Sequence, residues 1–350
     1  MKKIQIITAL SLVILLISCK GAGTGRVLPS ATGARFELLV VMDNAEWNSP
    51  VGRSVFNLFD RDMESLPQSE PMMKISHVNH VNFSDILRPS RNILFVDISS
   101  ERYTQPKITY VKNYYAYPQA FVRITTPDEA SLARAIEDHG EDIVNYFIVS
   151  ERERTMHFHK QDLNNEAVRE VKDMFGIEID IPVDLKRSVK SDDFYWITND
   201  NAGIRQDLIV YSYPYTDPNT FTYDFLNAKR DSVVKYNVPG EFEGSYMGTE
   251  YKYAHPIMRE ITVNGEYAVE IRGLWKILHG GAMGGPYYSL TRLDEANQRI
   301  VTVEGFVFAP GANKRNAIRT LEAVVHSTRL PLDMNRLNEV YVVPEQDNEN

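Results

Sequence analysis

The stretch Gly280-Gly281-Ala282-Met283-Gly284-Gly285-Pro286 is the part of the chain best suited by residue type to hold a ligand. Gly280, Gly281, Gly284 and Gly285 free the backbone to take positive φ angles and to approach a bound group closely. The stretch follows Trp275 and His279, so backbone amides, an indole face and a titratable ring are expected to converge there. A phosphate loop of the Walker type runs straight into a helix, whereas a strand is expected after Pro286. The segment therefore reads either as a ligand loop or as a wide hairpin connection that needs the same turns. Tyr211 and Tyr213, with Tyr215, fall on one face of a second expected strand. An exposed tyrosine row can stack on sugars or a protein partner, and ordinary strand packing favours the same residues.

Catalysis leaves no signature. No Gly-x-Ser-x-Gly elbow, Ser-x-x-Lys or His-Glu-x-x-His is present. The eight histidines form no pair with a third ligand nearby: His77 and His80 face opposite sides of a strand-like region, and His157 and His159 follow a helical one. Asp192-Asp193 reads as a solvated turn. No metal, cofactor or catalytic residue is assigned. A two-carboxylate glycosidase carries no local motif, so a hydrolase acting on glycan or peptide near Trp275 and His279 stays open beside a non-catalytic binding or assembly module.

Two α+β domains are expected to position these residues. The apolar run Leu38–Met42 reads as a buried strand, and Ser49-Pro50 as the start of a helix. Strands follow near Met73 and Ile75, at Asn92–Ile98 and at Ala120–Thr125. Thr126 caps the next helix, which Gly140 breaks or kinks. Glu151-Arg152-Glu153-Arg154 reads as a solvated helix face. Strand, helix, strands, helix is the order of a small α+β sandwich, for which a ferredoxin-like arrangement is one candidate. The domain spans 35–160, and a connecting helix spans 161–175. In the second domain, 176–332, alternating Ile177, Ile179 and Ile181 form the first strand. Four runs between Glu260 and Phe308 form an antiparallel meander, with Asn264-Gly265 as a hairpin turn. A helix at Asn313–Thr328 closes the domain, flanking an antiparallel sheet, and 333–350 is a tail.

The amino terminus gives an address. Lys2 and Lys3 precede a mostly apolar segment, Ile4–Ile17, too short to span a bilayer, which needs about 20 helical residues. It ends Leu16-Ile17-Ser18-Cys19, which resembles the lipobox of bacterial lipoproteins. That resemblance implies cleavage between Ser18 and Cys19 and acylation of Cys19, the only cysteine of the chain. Two or more acyl chains hold a protein on a membrane where one does so marginally. Residues 19–34, rich in glycine, read as a tether with an r.m.s. span of roughly 20 Å. With one cysteine there is no disulfide framework. The formal charge of −9 argues against nucleic acid as a partner.

Two wider resemblances add expectations. Gly176-Ile-x-Ile-x-Ile-Pro182, the Asn-Gly hairpin and a last strand running into a helix that ends His326-Ser327-Thr328 resemble the PsbP-like α/β/α sandwich, a mostly non-catalytic family. The lipobox, Phe175-Gly176-Ile177 and Trp275…Met283-Gly284-Gly285-Pro286 resemble an uncharacterised lipoprotein family of the Bacteroidetes, grouped as a domain of unknown function. Together they imply a lipid-anchored envelope protein. Lys20 after the anchor, with no acidic cluster, implies the periplasm-facing side of the outer membrane, with an envelope protein or cell-wall glycan as partner.

Overall fold

A computed structural model describes residues 27–340. Ser18, Cys19 and the acidic end 344–350 lie outside the described residues. No described helix is long and apolar enough to cross a membrane.

The first domain is built on a five-stranded sheet in the order β2-β1-β3-β5-β4. The strands are β1 (Glu37–Val41), β2 (Lys74–Val78), β3 (Asn92–Ile98), β4 (Lys107–Lys112) and β5 (Ala120–Thr126). β1 pairs parallel with β2 and β3, and β3 with β5; only β4 runs antiparallel. A ferredoxin-like sheet is antiparallel, so that expectation does not hold. Helices α1 (Asn44–Trp47), α2 (Pro50–Asp60) and α3 (Glu129–His159) follow. Val51, Val55 and Phe59 of α2, with Leu132, Ile143 and Phe147 of α3, bury one sheet face through Val40, Leu94 and Val122. Phe83, beside partly buried Tyr115, closes the other over Val41, Ile93 and Phe121.

Helix α3 departs from the sequence reading in three ways. It runs unbroken for 31 residues. Gly140 is there because α2 crosses close by: a Cβ at that position would stand 3.0 Å from Leu58. The cap is Asp128, whose carboxylate accepts from the Ser131 N–H at 2.7 Å, and not Thr126. Glu151, expected in water, is fully buried. Its carboxylate accepts from Arg91, Asn92, Arg154 and the Phe36 N–H. The expected tether is also shorter at its far end, since Ser30 and Thr32 bridge to Tyr117 and Ser90.

The second domain holds an eight-stranded antiparallel sheet in the order β10-β11-β12-β13-β8-β7-β6, with β9 added along β11. Its strands are β6 (Arg187–Ser191), β7 (Phe194–Thr198), β8 (Arg205–Pro214), β9 (Tyr246–Thr249), β10 (Ile257–Val263), β11 (Glu266–Leu278), β12 (Gly284–Asp294) and β13 (Arg299–Phe308). Asn264 and Gly265 have φ of +55° and +82°, the turn that Asn-Gly favours. Helices α4 (Asn165–Phe175), α5 (Tyr223–Asn237), α6 (Arg315–His326) and α7 (Pro331–Val340) surround it.

Strand alternation sorts the side chains into two cores. Leu208, Val210, Val301 and Val303 face α4 and α6. Ile209, Tyr211, Trp275, Tyr287 and Phe306 face α5. The result is an α/β/α sandwich in an α+β protein. The helix read as a connector, α4, gives Ala167, Val171 and Phe175 to this second core. Ile177, Ile179 and Ile181 are all buried, but as an extended arm held by single bridges at Glu178–Arg329 and Leu163–Pro182, not as a sheet strand. The expected tail begins inside α7, where buried Asp333 pairs with Arg292.

The domains meet at α6, and Gly305 lets the helix lie close on the sheet, since a Cβ there would stand 2.6 Å from Leu321. The N–H groups of Lys314 and Arg315 donate to the buried Glu70 carboxylate of the first domain at 2.6 and 3.0 Å. A carboxylate at a helix N-terminus satisfies orphan donors and complements the dipole.

Candidate functional site

Strand alternation also builds the site. On the α5 side, Asp207 of β8 takes the inward position that Ile209 and Tyr211 take further along. Trp196 of β7, Trp275 and Ile277 of β11 and Phe306 and Phe308 of β13 occupy the same layer. With Val238, Pro239, Gly240 and Glu241 after α5, Met247 of β9, and Met283, they line a cavity of about 260 Å³. Exposed Glu241 and half-buried Arg205 and Met283 form its more open side.

Asp207 is the polar centre of this apolar chamber. One oxygen, Oδ1, accepts from Trp196 Nε1 at 2.9 Å and from Arg205 Nε and Nη2 at 3.1 and 3.0 Å. The other, Oδ2, is buried without a hydrogen-bond partner. Thr198 faces Asp207 across the β7–β8 pair and eases its charge, without reaching hydrogen-bond geometry to Oδ2. Burial pushes the Asp207 carboxyl above its ordinary value, against the charge of Arg205 and the Trp196 donor. The Arg205 guanidinium lies 5.5 Å over the Trp196 ring, which fixes both. An unmet acceptor in an aromatic chamber suits a group with an apolar ring and one donor.

The residues singled out from the sequence divide. Trp275 lines the cavity, and so does Met283 from the glycine-rich stretch. Gly285 supports it indirectly: a Cβ there would sit 2.0 Å from the Val307 carbonyl and 3.3 Å from Trp275 Nε1, so its absence lets the indole donate to Val307 O at 3.2 Å. Gly284 serves close strand pairing beside the Trp275 backbone. His279, Gly280 and Gly281 make the turn, with φ of +59°, +152° and +75°. A Cβ at Gly280 or Gly281 would meet Phe242, the His279 ring lies near Tyr246, and none of the three lines the cavity. Tyr211 is 4 % exposed, so Tyr211, Tyr213 and Tyr215 form no open row on this strand. Tyr213 is half-buried against Phe225 of α5, with Lys229 over its ring.

Sequence reasoning does not single out Asp207, Trp196, Arg205, Phe306 or Phe308. The available signal was a carboxylate in phase with the inward residues Ile209 and Tyr211.

Two other hollows offer less. The groove of about 750 Å³ on the far face of the β9–β11 ribbon contains Lys235, Lys276 and Tyr251. There Lys276 pairs with Glu250, and Asp231 meets Thr249 and Tyr251 with its two oxygens. Asp294 also leaves one oxygen unmet, but beside a hollow of about 90 Å³, too small for a ring with substituents.

The raised Asp207 carboxyl has a signed consequence. Between the unfolded and the higher folded pKa the unfolded chain releases its proton while the native state keeps it, so this group costs stability as pH rises through that window. Asp207→Asn removes the cost. Thermal melting should show the variant gaining on the parent as pH climbs above the ordinary aspartate range and holding its lead at neutrality. A constant difference from pH 4 to pH 8 would contradict the assignment.

Comparison with known proteins matches the two cores separately. Residues 31–160 match the family model described as a domain of unknown function (DUF8532). Residues 164–327 match a second, also described as a domain of unknown function (DUF4837). No curated protein matches the chain. Both halves therefore correspond to uncharacterised domain families, and the cavity lies within the second.

Proposed function

We propose that the protein is a lipid-anchored binding module of a bacterial envelope whose second domain takes a ring-bearing group with one hydrogen-bond donor into the Asp207 cavity. The carrying observation is the buried, unpartnered Oδ2 in a chamber walled by Trp196, Trp275, Phe306 and Phe308. A buried acceptor without a partner is costly, and a ligand that supplies the donor relieves that cost. The ligand group can be free or part of an envelope protein or glycan.

The isosteres p-cresol and p-xylene test this directly, since they differ in the donor alone. Titration followed by tryptophan fluorescence should show p-cresol binding about ten-fold more tightly or better, as expected for a hydrogen bond to a charged group. Asp207→Ala should erase the preference while retaining apolar binding. Equal affinities in the parent chain, or binding of neither, would remove the proposal.

The anchor reading rests on Leu16-Ile17-Ser18-Cys19 and on Lys20, which supports the periplasm-facing side of the outer membrane. Cys19→Ser should move the protein from the membrane to the soluble fraction of lysed cells; unchanged partitioning would refute anchoring through this residue.

A hydrolase is the second reading, favoured by Glu241 lining the same cavity as Asp207. A buried carboxyl whose pKa burial raises, beside an exposed carboxylate, is the pairing of environments that glycosidases use. Turnover of an aryl glycoside, lost in Asp207→Asn, would favour it over binding alone.

A further inference from the structure

The parallel pairing of β1 with β3 sets the starts of these strands side by side, and the last turns of α3 lie across them. Three arginines meet there. Arg35 precedes β1, Arg91 precedes β3, and Arg154 comes from α3. All three line a cavity of about 240 Å³ with Thr155, His157 and Gln161, and no acidic side chain lines it.

The charges in this corner do not balance among themselves. Among the described residues, the buried Glu151 carboxylate is the one acid in contact. Its Oε2 meets Arg91 Nη2 at 2.8 Å, and its Oε1 meets Arg154 Nη2 at 2.9 Å. Oε1 also accepts from Asn92 and from the Phe36 N–H, so its capacity is spent. Arg35 has no carboxylate partner among the described residues; its Nη1 donates to the Thr320 hydroxyl at 3.2 Å. The Nε–H donors of Arg91 and Arg154 are buried and unpartnered. The Arg154 side chain is 10 % exposed, and burial works against its charge. Three guanidinium groups against one carboxylate leave an excess of positive charge in a partly dry hollow. Cations removed from water need a counter-charge.

We propose that this corner of the first domain binds a phosphate group, through Arg35 together with the free donors of Arg91 and Arg154. Arginine suits this role because its planar fork presents several fixed N–H donors to tetrahedral oxyanions. The proposal is independent of the Asp207 cavity, which lies in the other domain.

Two sources could present the group: soluble phosphate or a phosphomonoester, and the headgroup of a phospholipid. Calorimetric titration of the Cys19→Ser chain with inorganic phosphate addresses the first. Co-sedimentation of the same chain with phosphatidylglycerol vesicles, set against phosphate-free digalactosyldiacylglycerol vesicles of equal size, addresses the second. Arg35 is the residue to vary, because Arg91 and Arg154 also hold Glu151 and their loss threatens the fold. Arg35→Gln should weaken phosphate binding about ten-fold or more, and Arg35→Lys should recover part of it by restoring the charge. Binding should also weaken as sodium chloride is raised. Vesicle binding that depends on Arg35 without measurable binding of free phosphate would assign the headgroup as the source. No binding in either arm, or binding indifferent to Arg35→Gln with the circular dichroism spectrum unchanged, would overturn the site.

Discussion

The Glu322 carboxylate, out of water between Arg272 and Arg319, ties helix α6 to the sheet beneath it. Burial alone would raise its pKa, but the two guanidinium groups hold it at about 2. The same helix reaches the first domain through His326, whose Nε2 accepts from Arg152 of α3 at 2.8 Å. Burial and the Arg152 charge push that imidazole down to about 3, so it is neutral in any physiological medium and able to accept. Glu70 completes the junction from the far end of the helix. One helix is thereby fixed by its cap, its charged face and its last turn, and both domains are built against it.

The chain meets buried charge in the same way elsewhere. Glu304 takes two donors from Arg230, which stacks 3.7 Å from the centre of the Tyr287 ring. Glu151 fills both oxygens with two arginines, an asparagine and a backbone amide. These clusters specify packing, because a buried charge stripped of its partner is strongly destabilising. Asp207 departs from the pattern by crowding its donors onto one oxygen. The arginine corner departs in the opposite sense, with more cations than its one carboxylate neutralises. In each case the imbalance sits beside a cavity, of about 260 and 240 Å³, with room for the group proposed.

The architecture was legible where its cause is local. The meander from β10 to β13, the Asn-Gly turn and helix α6 follow from alternation, turn chemistry and helical spacing within short windows. Ile177, Ile179 and Ile181 show where alternation misleads: they alternate as a strand does, but the segment finds a helix and a core rather than a continuous strand partner. Glu151-Arg-Glu-Arg154 looks like surface because its composition is charged, while Arg91 and Asn92 come from about sixty residues away in sequence. Trp275 was singled out for its type and setting, and Met283 lay within the glycine-rich stretch; both line the cavity. Asp207 was not, since its walls come from β7, β9, β11, β13 and the segment after α5, which only the folded sheet brings together.

A crystal of the chain grown with 4-bromophenol would test the central claim most directly, since anomalous scattering from bromine locates the ring without ambiguity. The account predicts a bromine peak inside the cavity walled by Trp196 and Trp275, with the phenol hydroxyl at about 2.5–3.0 Å from Asp207 Oδ2. A ligand bound elsewhere with the cavity empty, or seated in it with the hydroxyl turned away from Asp207, would contradict the account.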